Sequence, residues 1–488
     1  MTSLKILYAS AEVAPVAKVG GLADVAGSLP QALHQLGHDI RLVMPAYASI
    51  DRNQYSVTTI AESSFNFMGI PHQFCVSKIN LNKNVRLYLI ENQKYFGRPA
   101  VYGESDDLER FFFFSKAIIE LPHLIRWRPD ILHCQDWHAA LSVPLLKEAS
   151  RNSSAWSGSA SVFTIHNLAY QGWFDDHFAS RTGISQYLPP PHYPLRSKAY
   201  STMALAIWHA NVVSTVSPTY AREILTPEYG ENLESLLHMR SKDLYGIING
   251  IDYEQFNPAT DTYLAANYDS SSLERRVKNK LALQRRSGFE ITNTIPLVGM
   301  VGRLAAQKGT DLVAKALLPL LETTSIQFVF LGVGEEKFKQ SLEQVAMRHP
   351  KRVRFFFSFD PDLAQLIYAG CDMFLMPSLF EPCGLGQLIA LRYGAIPVVR
   401  RTGGLADTVQ DVSSDLSTGN GFVFDEYQHE ALIEAVKRAV GAFQQKAAWR
   451  QLILRGMATD YSWAASARKY QELYVKAKDQ LANAWLQN

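Results

Sequence analysis

The stretch Ile396-Pro397-Val398-Val399-Arg400-Arg401-Thr402-Gly403-Gly404-Leu405-Ala406-Asp407 joins an apolar run, cations, paired glycines and a predicted helix start. Its last five residues recur near the other end of the chain, in Lys18-Val19-Gly20-Gly21-Leu22-Ala23-Asp24, after the apolar run at residues 6–9. Glycine lacks a Cβ, so backbone N–H groups can approach a ligand, and a helix start favours an anion. The repeat predicts two similar halves that hold a charged ligand between facing domains.

Short apolar runs rich in β-forming residues alternate with longer helical patterns along the whole chain. This alternation is typical of βαβ units, in which helices cover both faces of a parallel sheet. The number of runs favours two doubly wound α/β domains over a single sheet. The predicted strands are residues 5–9, 40–44, 85–90, 131–134, 162–165 and 212–216 in a first set, and 296–301, 327–331, 354–357, 373–376 and 396–399 in a second.

The boundary between the two sets is predicted at Gly246-Ile247-Ile248-Asn249-Gly250-Ile251-Asp252, where glycines and an Asn-Gly step suit a bending connection. The first domain is therefore expected to comprise residues 1–247 and the second residues 248–462. Residues 463–488 include one amphipathic helix, which we expect to return to the first domain.

The bulk composition excludes several classes of protein. A net charge of +2 over 488 residues is too small to predict nucleic acid as a partner. No apolar run is long enough to span a bilayer, and no signal peptide is evident, so we expect a cytoplasmic protein without membrane contact, or one from a plastid stroma. The basic stretch at residues 275–286 is interpreted as a solvated helix face.

The cysteines are few and widely spaced, which argues against a zinc site or a disulfide scaffold and suits a reducing compartment. They are Cys75, Cys134, Cys371 and Cys383. Histidines likewise lack metal-ligand spacing, so no metal site is predicted.

Cations follow two of the predicted strands, where parallel sheets bind their ligands. Lys18 stands beside Gly20 and Gly21, and Arg303 and Lys308 lie in the turn after residues 296–301. A planar guanidinium and a compact ammonium together suit a diphosphate and the charge that develops as it leaves. The alternative is a set of ordinary βα turns with solvated cations.

Polar groups suited to sugars follow three further strands. In Phe380-Glu381-Pro382-Cys383-Gly384-Leu385-Gly386, Glu381 can accept hydrogen bonds from hydroxyls, and the N–H groups of residues 383–386 can face phosphate, although a helix cap is the alternative. Asp136 in Gln135-Asp136-Trp137-His138 and His166 in His166-Asn167 suit recognition of hydroxyls. The alternative for each histidine is a structural hydrogen bond.

Together these motifs closely resemble the family of bacterial glycogen synthases and plant starch synthases, which transfer glucose from a nucleotide sugar to an α-1,4-glucan. The resemblance covers almost the whole chain. It is carried by residues 18–24, 135–138, 166–172, 249–252, 303–309, 381–384 and 401–407. It implies two Rossmann-like domains facing across a cleft, the arrangement called GT-B, with the glucan acceptor on the first and the nucleotide on the second.

The resemblance also assigns roles to individual residues. It implies that Lys18, Gly20, Gly21, Arg303 and Lys308 contact the diphosphate of ADP-glucose. For the transferred glucose it implies Glu381 and the backbone of Cys383, Gly384 and Leu385. It places His166 beside this glucose, Asn249 near it and Asp136 close to the reaction centre. Phe359 stands where the family places an aromatic ring against adenine. The catalytic set is accordingly Glu381, His166, Asp136, Arg303 and Lys308.

One position departs from many related retaining transferases, in which a second glutamate eight residues after the first binds the donor ribose. Here that position is Ile389, as is common in the synthase branch, so the ribose needs another anchor. The implied reaction retains the α configuration and uses no metal or organic cofactor, because Arg303 and Lys308 supply the positive charge. The resemblance makes no prediction of the oligomeric state.

Three other functions are alternatives to this one. A glycosyltransferase of the same architecture with a sucrose or lipid acceptor is the first alternative, and a catalytically idle glucan-binding protein is the second. A nicotinamide dehydrogenase is disfavoured because Gly332-Val333-Gly334 is followed by Lys337, where the third glycine of the fingerprint belongs.

Overall fold

The computed structural model describes residues 3–81, 85–189 and 200–486. The chain divides into two compact units: unit 1 is Met1–Gly250 with Trp463–Asn488, and unit 2 is Ile251–Ser462. Each unit has its own apolar core. The structure divides the chain after Gly250, and the sequence predicts the boundary after residue 247.

The strands of the described ranges are numbered along the chain. Those of unit 1 are β1 (Lys5–Ala9), β2 (Asp39–Pro45), β3 (Thr58–Phe67), β4 (Ile70–Leu81), β5 (Val85–Glu91), β6 (Ile131–Gln135), β7 (Ala160–Ile165), β8 (Trp173–Phe174), β9 (Tyr200–Ser201), β10 (Val212–Thr215) and β11 (Leu244–Gly246). Those of unit 2 are β12 (Leu297–Val301), β13 (Gln327–Leu331), β14 (Val353–Phe356), β15 (Met373–Met376), β16 (Ile396–Arg400) and β17 (Phe422–Phe424).

The α-helices are numbered in the same way. The first nine, all in unit 1, are α1 (Gly21–Gln35), α2 (Gln93–Phe96), α3 (Asp107–Leu124), α4 (Asp136–Ala139), α5 (Ser142–Asn152), α6 (Asp176–Thr182), α7 (Thr202–His209), α8 (Pro218–Glu223) and α9 (Glu234–Met239). The others are α10 (Val277–Ser287), α11 (Thr310–Thr323), α12 (Glu336–Arg348), α13 (Pro361–Gly370), α14 (Gly386–Arg392), α15 (Gly403–Thr408), α16 (His429–Phe443), α17 (Lys446–Ala458) and α18 (Trp463–Leu486).

The sheet of unit 2 has the strand order β14-β13-β12-β15-β16-β17, and every pair of neighbours is parallel. This is the order of a doubly wound nucleotide-binding domain. Its strands β13 and β15 are buried along their whole length, as parallel strands covered by helices on both faces must be. The predicted α/β class with Rossmann-like domains is confirmed.

The main sheet of unit 1 has the order β11-β10-β7-β6-β1-β2-β5-β4-β3. From β11 to β5 the neighbours are parallel, but β4 pairs antiparallel with both β5 and β3. The sequence did not predict β3 and β4, which add an antiparallel edge to the parallel sheet. The edge strand β3 alternates exposed and partly buried residues, because one face of an antiparallel sheet can face water.

The basic stretch at residues 275–286 differs from its prediction as a solvated helix face. Arg276 and Lys280 are buried in unit 2. Lys280 Nζ lies 2.7 Å from Asp372 Oδ2 and donates to the carbonyl oxygen of Asn293, while Arg276 donates to the carbonyl oxygens of Tyr393 and Cys371. Burial lowers the pKa of Lys280, and the Asp372 carboxylate opposes this change.

The final helix, α18, belongs to the core of unit 1. It packs against α1, β7 and β10, and its inward face carries the buried residues Tyr470, Leu473, Tyr474 and Ala477. Tyr474 OH lies 3.0 Å from His133 Nδ1 on β6, and His133 Nε2 lies 2.6 Å from Thr164 Oγ1 on β7. Burial lowers the pKa of His133 well below its ordinary value, so a neutral imidazole joins α18 to the sheet.

The two Gly-Gly-Leu-Ala-Asp copies have different local structures. At Gly21, where α1 begins, an added Cβ would meet nothing within 4 Å. At Gly403 and Gly404, where α15 begins, it would lie 2.0 Å from the carbonyl oxygens of Glu381 and Cys383, respectively. Gly404 N–H also donates to the Glu381 carbonyl oxygen at 3.0 Å. The glycines of the second copy therefore allow close packing against the Glu381 loop, whereas Gly21 has no such contact, so the two copies differ in local structure.

This difference predicts that the same substitution destabilises the protein at Gly404 and has little effect at Gly21. Gly404→Ala forces a methyl group against a backbone oxygen, and we expect it to cost about 1–3 kcal/mol of unfolding free energy. Gly21→Ala enters open space at a helix start, and we expect a change within about 0.5 kcal/mol. Thermal denaturation of both variants measures the contrast, and equal losses at the two positions would contradict it.

Candidate active site

The candidate site residues of unit 2 lie where the strand order of its sheet reverses. β12 and β15 are neighbours, but the chain continues from them toward opposite edges. Ligands of open α/β sheets bind outside the carboxyl ends of the strands at such a point. Arg303 and Lys308 follow β12, whereas Ser378 and Glu381 follow β15.

These two loops meet through an ion pair. Lys308 Nζ lies 2.6 Å from Glu381 Oε2, and Ser378 Oγ donates to the same oxygen at 3.0 Å. The Glu381 side chain is 6% exposed and that of Lys308 22%. A carboxylate so deeply buried requires a charge partner and hydrogen bonds, and these two contacts provide them.

Backbone contacts fix the two loops together. Leu379 N–H donates to the Gln307 carbonyl oxygen at 2.9 Å. Gly309 has φ +71°, and a Cβ there would lie 2.1 Å from the Pro377 carbonyl oxygen. Arg303 donates to Gln307 Oε1 at 3.1 Å in an exposed position. Arg303 and Lys308 are thus presented from one turn that is docked against the Glu381 loop.

The other predicted residues of unit 2 occupy distinct environments. Gln387 Nε2 donates to the carbonyl oxygens of Cys383 and Gly384 at 3.0 and 2.9 Å, which fixes the turn before Leu385 and α14. Phe359 is 83% exposed between β14 and α13. Ile389 is buried in α14, so this position contributes packing rather than a polar group.

In unit 1 the strand order reverses between β1 and β6. The loop after β1 carries Lys18, Gly20 and Gly21, and Asp136 directly follows β6. Asp136 has φ +52°. Its Oδ1 accepts the His166 N–H at 2.7 Å, and the Asn167 N–H also bonds to its carboxylate. The structure therefore brings Asp136 and His166 together at adjacent strand ends.

The His166 imidazole is neutral at physiological pH, because burial lowers its pKa to about 3. Its Nε2 lies 2.8 Å from Gln135 Oε1, so Nε2 donates to that oxygen. The Nδ1 atom is then an acceptor. A neutral imidazole with one free acceptor suits a sugar hydroxyl.

Glu12 was not predicted, and it organises the loop of Lys18. Its carboxylate is buried and accepts the N–H groups of Val19 and Gly20 at 2.5 and 3.0 Å. Burial raises the pKa of Glu12, although the two hydrogen bonds act to lower it. Gly20 N–H is thus used within the chain, and Gly21 begins α1. A carboxylate three residues beyond a strand, in the same loop as Lys18, was the available sequence signal.

The other predicted side chains of unit 1, and Tyr102, lie as follows. Lys18 Nζ lies 2.6 Å from Asp24 Oδ1 in an exposed position. The Tyr102 ring stacks on His138 with centroids 5.2 Å apart, and the pKa of Tyr102 is raised by burial and by Glu12 and Asp136. Asn249 is buried, and its Oδ1 has no hydrogen-bond partner within residues 3–81, 85–189 and 200–486.

Within the described part of the chain, no group of three or more His, Cys, Asp or Glu side chains is arranged to hold a metal ion. None of the helices in the same residues combines the length and apolarity needed for a bilayer span.

The pKa of Asp136 gives a test of its environment. Burial raises this pKa to about 7, with a smaller contribution from Glu12 and opposition from the two N–H bonds. The folded chain therefore keeps a proton that the unfolded chain loses, so the contribution of Asp136 to stability falls as pH rises from about 4 to 7. We therefore expect the free energy of unfolding of Asp136→Asn, measured relative to that of the parent chain, to be about 1–3 kcal/mol higher at pH 8 than at pH 5.

The measurement is the thermal midpoint of both chains at the two pH values. Asn tolerates positive φ well, but that effect is the same at each pH and cancels in the comparison. The exposed Asp479→Asn is the matched control. The raised pKa of Asp136 would be contradicted if the thermal midpoint of Asp136→Asn, relative to that of the parent chain, fell as the pH rose.

Two family models match the chain. The starch synthase catalytic domain matches residues 5–239, and the glycosyl transferases group 1 domain matches residues 284–450. A glycogen synthase of Geotalea daltonii is 45% identical over 96% of this chain and 98% of its own. A glycogen synthase of Moorella thermoacetica is 45% identical over 97% of each chain.

Solved structures give the same result. The catalytic domain of starch synthase IV from Arabidopsis thaliana, bound to ADP and acarbose, matches with a TM-score of 0.90 and 35% identity, over 98% of this chain and 100% of its own. A sucrose-phosphate synthase from Thermosynechococcus elongatus has a TM-score of 0.60 at 16% identity over 96% of this chain and 98% of its own, which shows a common fold alone. With near-full-length identity above 40% and both family domains in order, the chain belongs to the glycogen and starch synthase family of glycosyltransferases.

Proposed function

We propose that this glycosyltransferase transfers glucose from ADP-glucose to the non-reducing end of an α-1,4-glucan, with retention of the α configuration. The observation that carries the proposal is the Lys308–Glu381 pair at the strand-order reversal of unit 2. The glycogen synthases at 45% identity and the structural neighbour that binds ADP and acarbose support the same reaction. These relatives do not support an acceptor other than a glucan.

In unit 2, we propose that Glu381 holds the transferred glucose and that Arg303 and Lys308 hold the diphosphate. Both contacts made by Lys308 and Ser378 use Glu381 Oε2, which leaves Oε1 to accept from glucose hydroxyls. The backbone of Cys383, Gly384 and Leu385 lies next in the same turn, where it would add N–H donors. Phe359 would cover the adenine with its exposed ring.

The chemistry requires fixed charge at the departing diphosphate. As the bond between the glucose C1 and the phosphate oxygen breaks, positive charge grows on the sugar and negative charge on the diphosphate. Cations held in place by protein contacts lower the energy of this state without reorganisation. The acceptor hydroxyl then bonds to C1 on the same face, and its proton passes to the departing phosphate.

In unit 1, we propose that His166 Nδ1 accepts a hydroxyl of the transferred glucose. Asp136 would hold the His166–Asn167 backbone in place close to the reaction centre, and Asn249 would offer its unpartnered oxygen to the substrate. Lys18 and Gly21 would add to diphosphate binding, and Lys18 would exchange Asp24 for phosphate. Gly20 would act through its place in the turn that Glu12 fixes.

A cytoplasmic location is part of the same proposal. Within the described ranges none of the four cysteines is joined in a disulfide, and three of them are buried, as suits a reducing compartment.

The decisive experiment supplies the purified protein with a maltooligosaccharide and either ADP-glucose or UDP-glucose. We expect products longer by single glucose units, formed faster from ADP-glucose. Because Glu381 and Lys308 stabilise charge at the reacting centre, Glu381→Gln and Lys308→Ala should each lower kcat by about 10²–10³-fold.

Lys315→Ala, at an exposed lysine of α11, is the matched control and should keep the parental rate. Transfer from UDP-glucose but not from ADP-glucose would overturn the proposal that ADP-glucose is the donor. Parental rates in Glu381→Gln and Lys308→Ala would remove both residues from the site, and no transfer to any glucan would overturn the function.

A further inference from the structure

Gln135, the last residue of β6, has a fully buried side chain beside the His166 imidazole. Its Oε1 atom accepts from His166 Nε2 at 2.8 Å. Its Nε2 atom has no hydrogen-bond partner within residues 3–81, 85–189 and 200–486. A buried amide with an unpaired donor costs free energy, so packing alone does not account for a glutamine at this position. What the glutamine provides is an acceptor oxygen for the histidine.

The strands β6 and β7 direct this oxygen at the imidazole. Their parallel register places Gln135 opposite Thr164, so its contact with His166 is diagonal, two residues further along β7. His133, two residues earlier on β6, makes the same diagonal contact with Thr164, with 2.6 Å between Nε2 and Oγ1. Because alternate residues of a strand share a face, the two contacts lie side by side on one face of the sheet.

The core of unit 1 holds the neighbouring contact in place. His133 Nδ1 lies 3.0 Å from Tyr474 OH on α18, and Thr164 Oγ1 lies 2.7 Å from Ser214 Oγ on β10. The side chains of His133, Thr164 and Ser214 are all fully buried. The polar groups next to Gln135 are therefore committed to one another, and the Gln135 oxygen is directed to His166.

The position of the proton on the His166 ring follows from this geometry. Burial lowers the pKa of His166 to about 3, so the imidazole carries a single ring proton at physiological pH. If that proton were on Nδ1, the lone pair of Nε2 would face the Gln135 oxygen, and two acceptors 2.8 Å apart repel each other. The Gln135 oxygen therefore selects the tautomer with the proton on Nε2, and Nδ1 keeps its lone pair.

The selected tautomer has a chemical consequence for the proposed reaction. A sugar hydroxyl that donates to Nδ1 gains electron density on its oxygen, whereas a hydroxyl that accepts from an N–H group loses it. As the bond between the glucose C1 and the phosphate oxygen breaks, positive charge grows on the sugar. An electron-rich hydroxyl stabilises that charge, so an acceptor at Nδ1 stabilises the transition state more than the bound ground state.

We propose that Gln135 is a positioning residue whose side-chain oxygen fixes His166 in the tautomer that accepts a hydroxyl of the transferred glucose at Nδ1. This proposal rests on the proposed function, since it concerns the same contact between His166 and glucose. Gln135 acts through His166 and does not touch the substrate. Its loss therefore lowers kcat and leaves the KM values for donor and acceptor nearly unchanged.

The first measurement compares kcat and KM for ADP-glucose and a maltooligosaccharide in Gln135→Met, Tyr474→Phe and the parent chain. Methionine fills a similar volume but has no acceptor oxygen. We expect Gln135→Met to lower kcat about 10–50-fold and to change each KM less than about twofold, because one buried hydrogen bond is lost from the transition state. Tyr474→Phe removes a buried hydroxyl from the neighbouring contact and is the matched control, which should keep the parental kcat.

The second measurement is the nitrogen-15 NMR spectrum of histidine-labelled protein without any substrate, in which the shifts of the two ring nitrogens report the tautomer. His166→Asn identifies the His166 signals by their absence. We expect the proton on Nε2 in the parent chain and in Tyr474→Phe, and a mixture of both tautomers in Gln135→Met. A proton on Nδ1 in the parent chain, or an unchanged tautomer in Gln135→Met, would overturn the proposal.

The kinetic results can also overturn the proposal on their own. A parental kcat in Gln135→Met would do so, as would an equal fall of kcat in Gln135→Met and Tyr474→Phe, since the effect would then come from the packing of the sheet. Absence of transfer by the parent chain would instead overturn the proposed function, and the spectra would still decide whether Gln135 fixes the tautomer of His166.

Discussion

The reversal of strand order in each sheet is the constraint on which the candidate site depends. In unit 2 it separates β12 from β15, and in unit 1 it separates β1 from β6. At each reversal two connections leave in opposite directions, so helices cannot cover the strand ends between them. Polar loops occupy these places, and their buried carboxylates, Glu381 in unit 2 and Asp136 in unit 1, are held by cations or backbone N–H groups.

These carboxylates serve the fold and the proposed chemistry at once, and the two roles conflict. Asp136 binds the backbone of the next strand end, yet its burial raises its pKa and makes the ionised form costly. Glu381 needs Lys308, which the diphosphate would also attract. Such groups cost stability that the two large apolar cores must supply. If substrate binds as proposed, each carboxylate would exchange an internal partner for a substrate group and would not be left as an unpaired charge.

The sequence predicted those parts of the fold that one physical signal dominates. Strands buried on both faces are continuous apolar runs, so β1, β13 and β15 were placed to the residue. The strands β3 and β4 alternate polar and apolar residues along a half-exposed edge and gave no such run. Lys280 resembled a surface lysine because its partner Asp372 is 92 residues away in the chain. Glu12 and Ser378 were missed for a similar reason, since only the folded loop shows which N–H group or oxygen each one reaches.

The position of α18 has a consequence for the order of folding during synthesis. Unit 1 is made of two separate pieces of chain, and its buried His133 lies within hydrogen-bond distance of Tyr474 OH on α18. The ribosome therefore synthesises all of unit 2, Ile251–Ser462, before it synthesises α18, which completes unit 1. Unit 2 can complete its core while unit 1 still lacks α18. Unit 1, whose synthesis starts first, is therefore the last of the two to complete its fold.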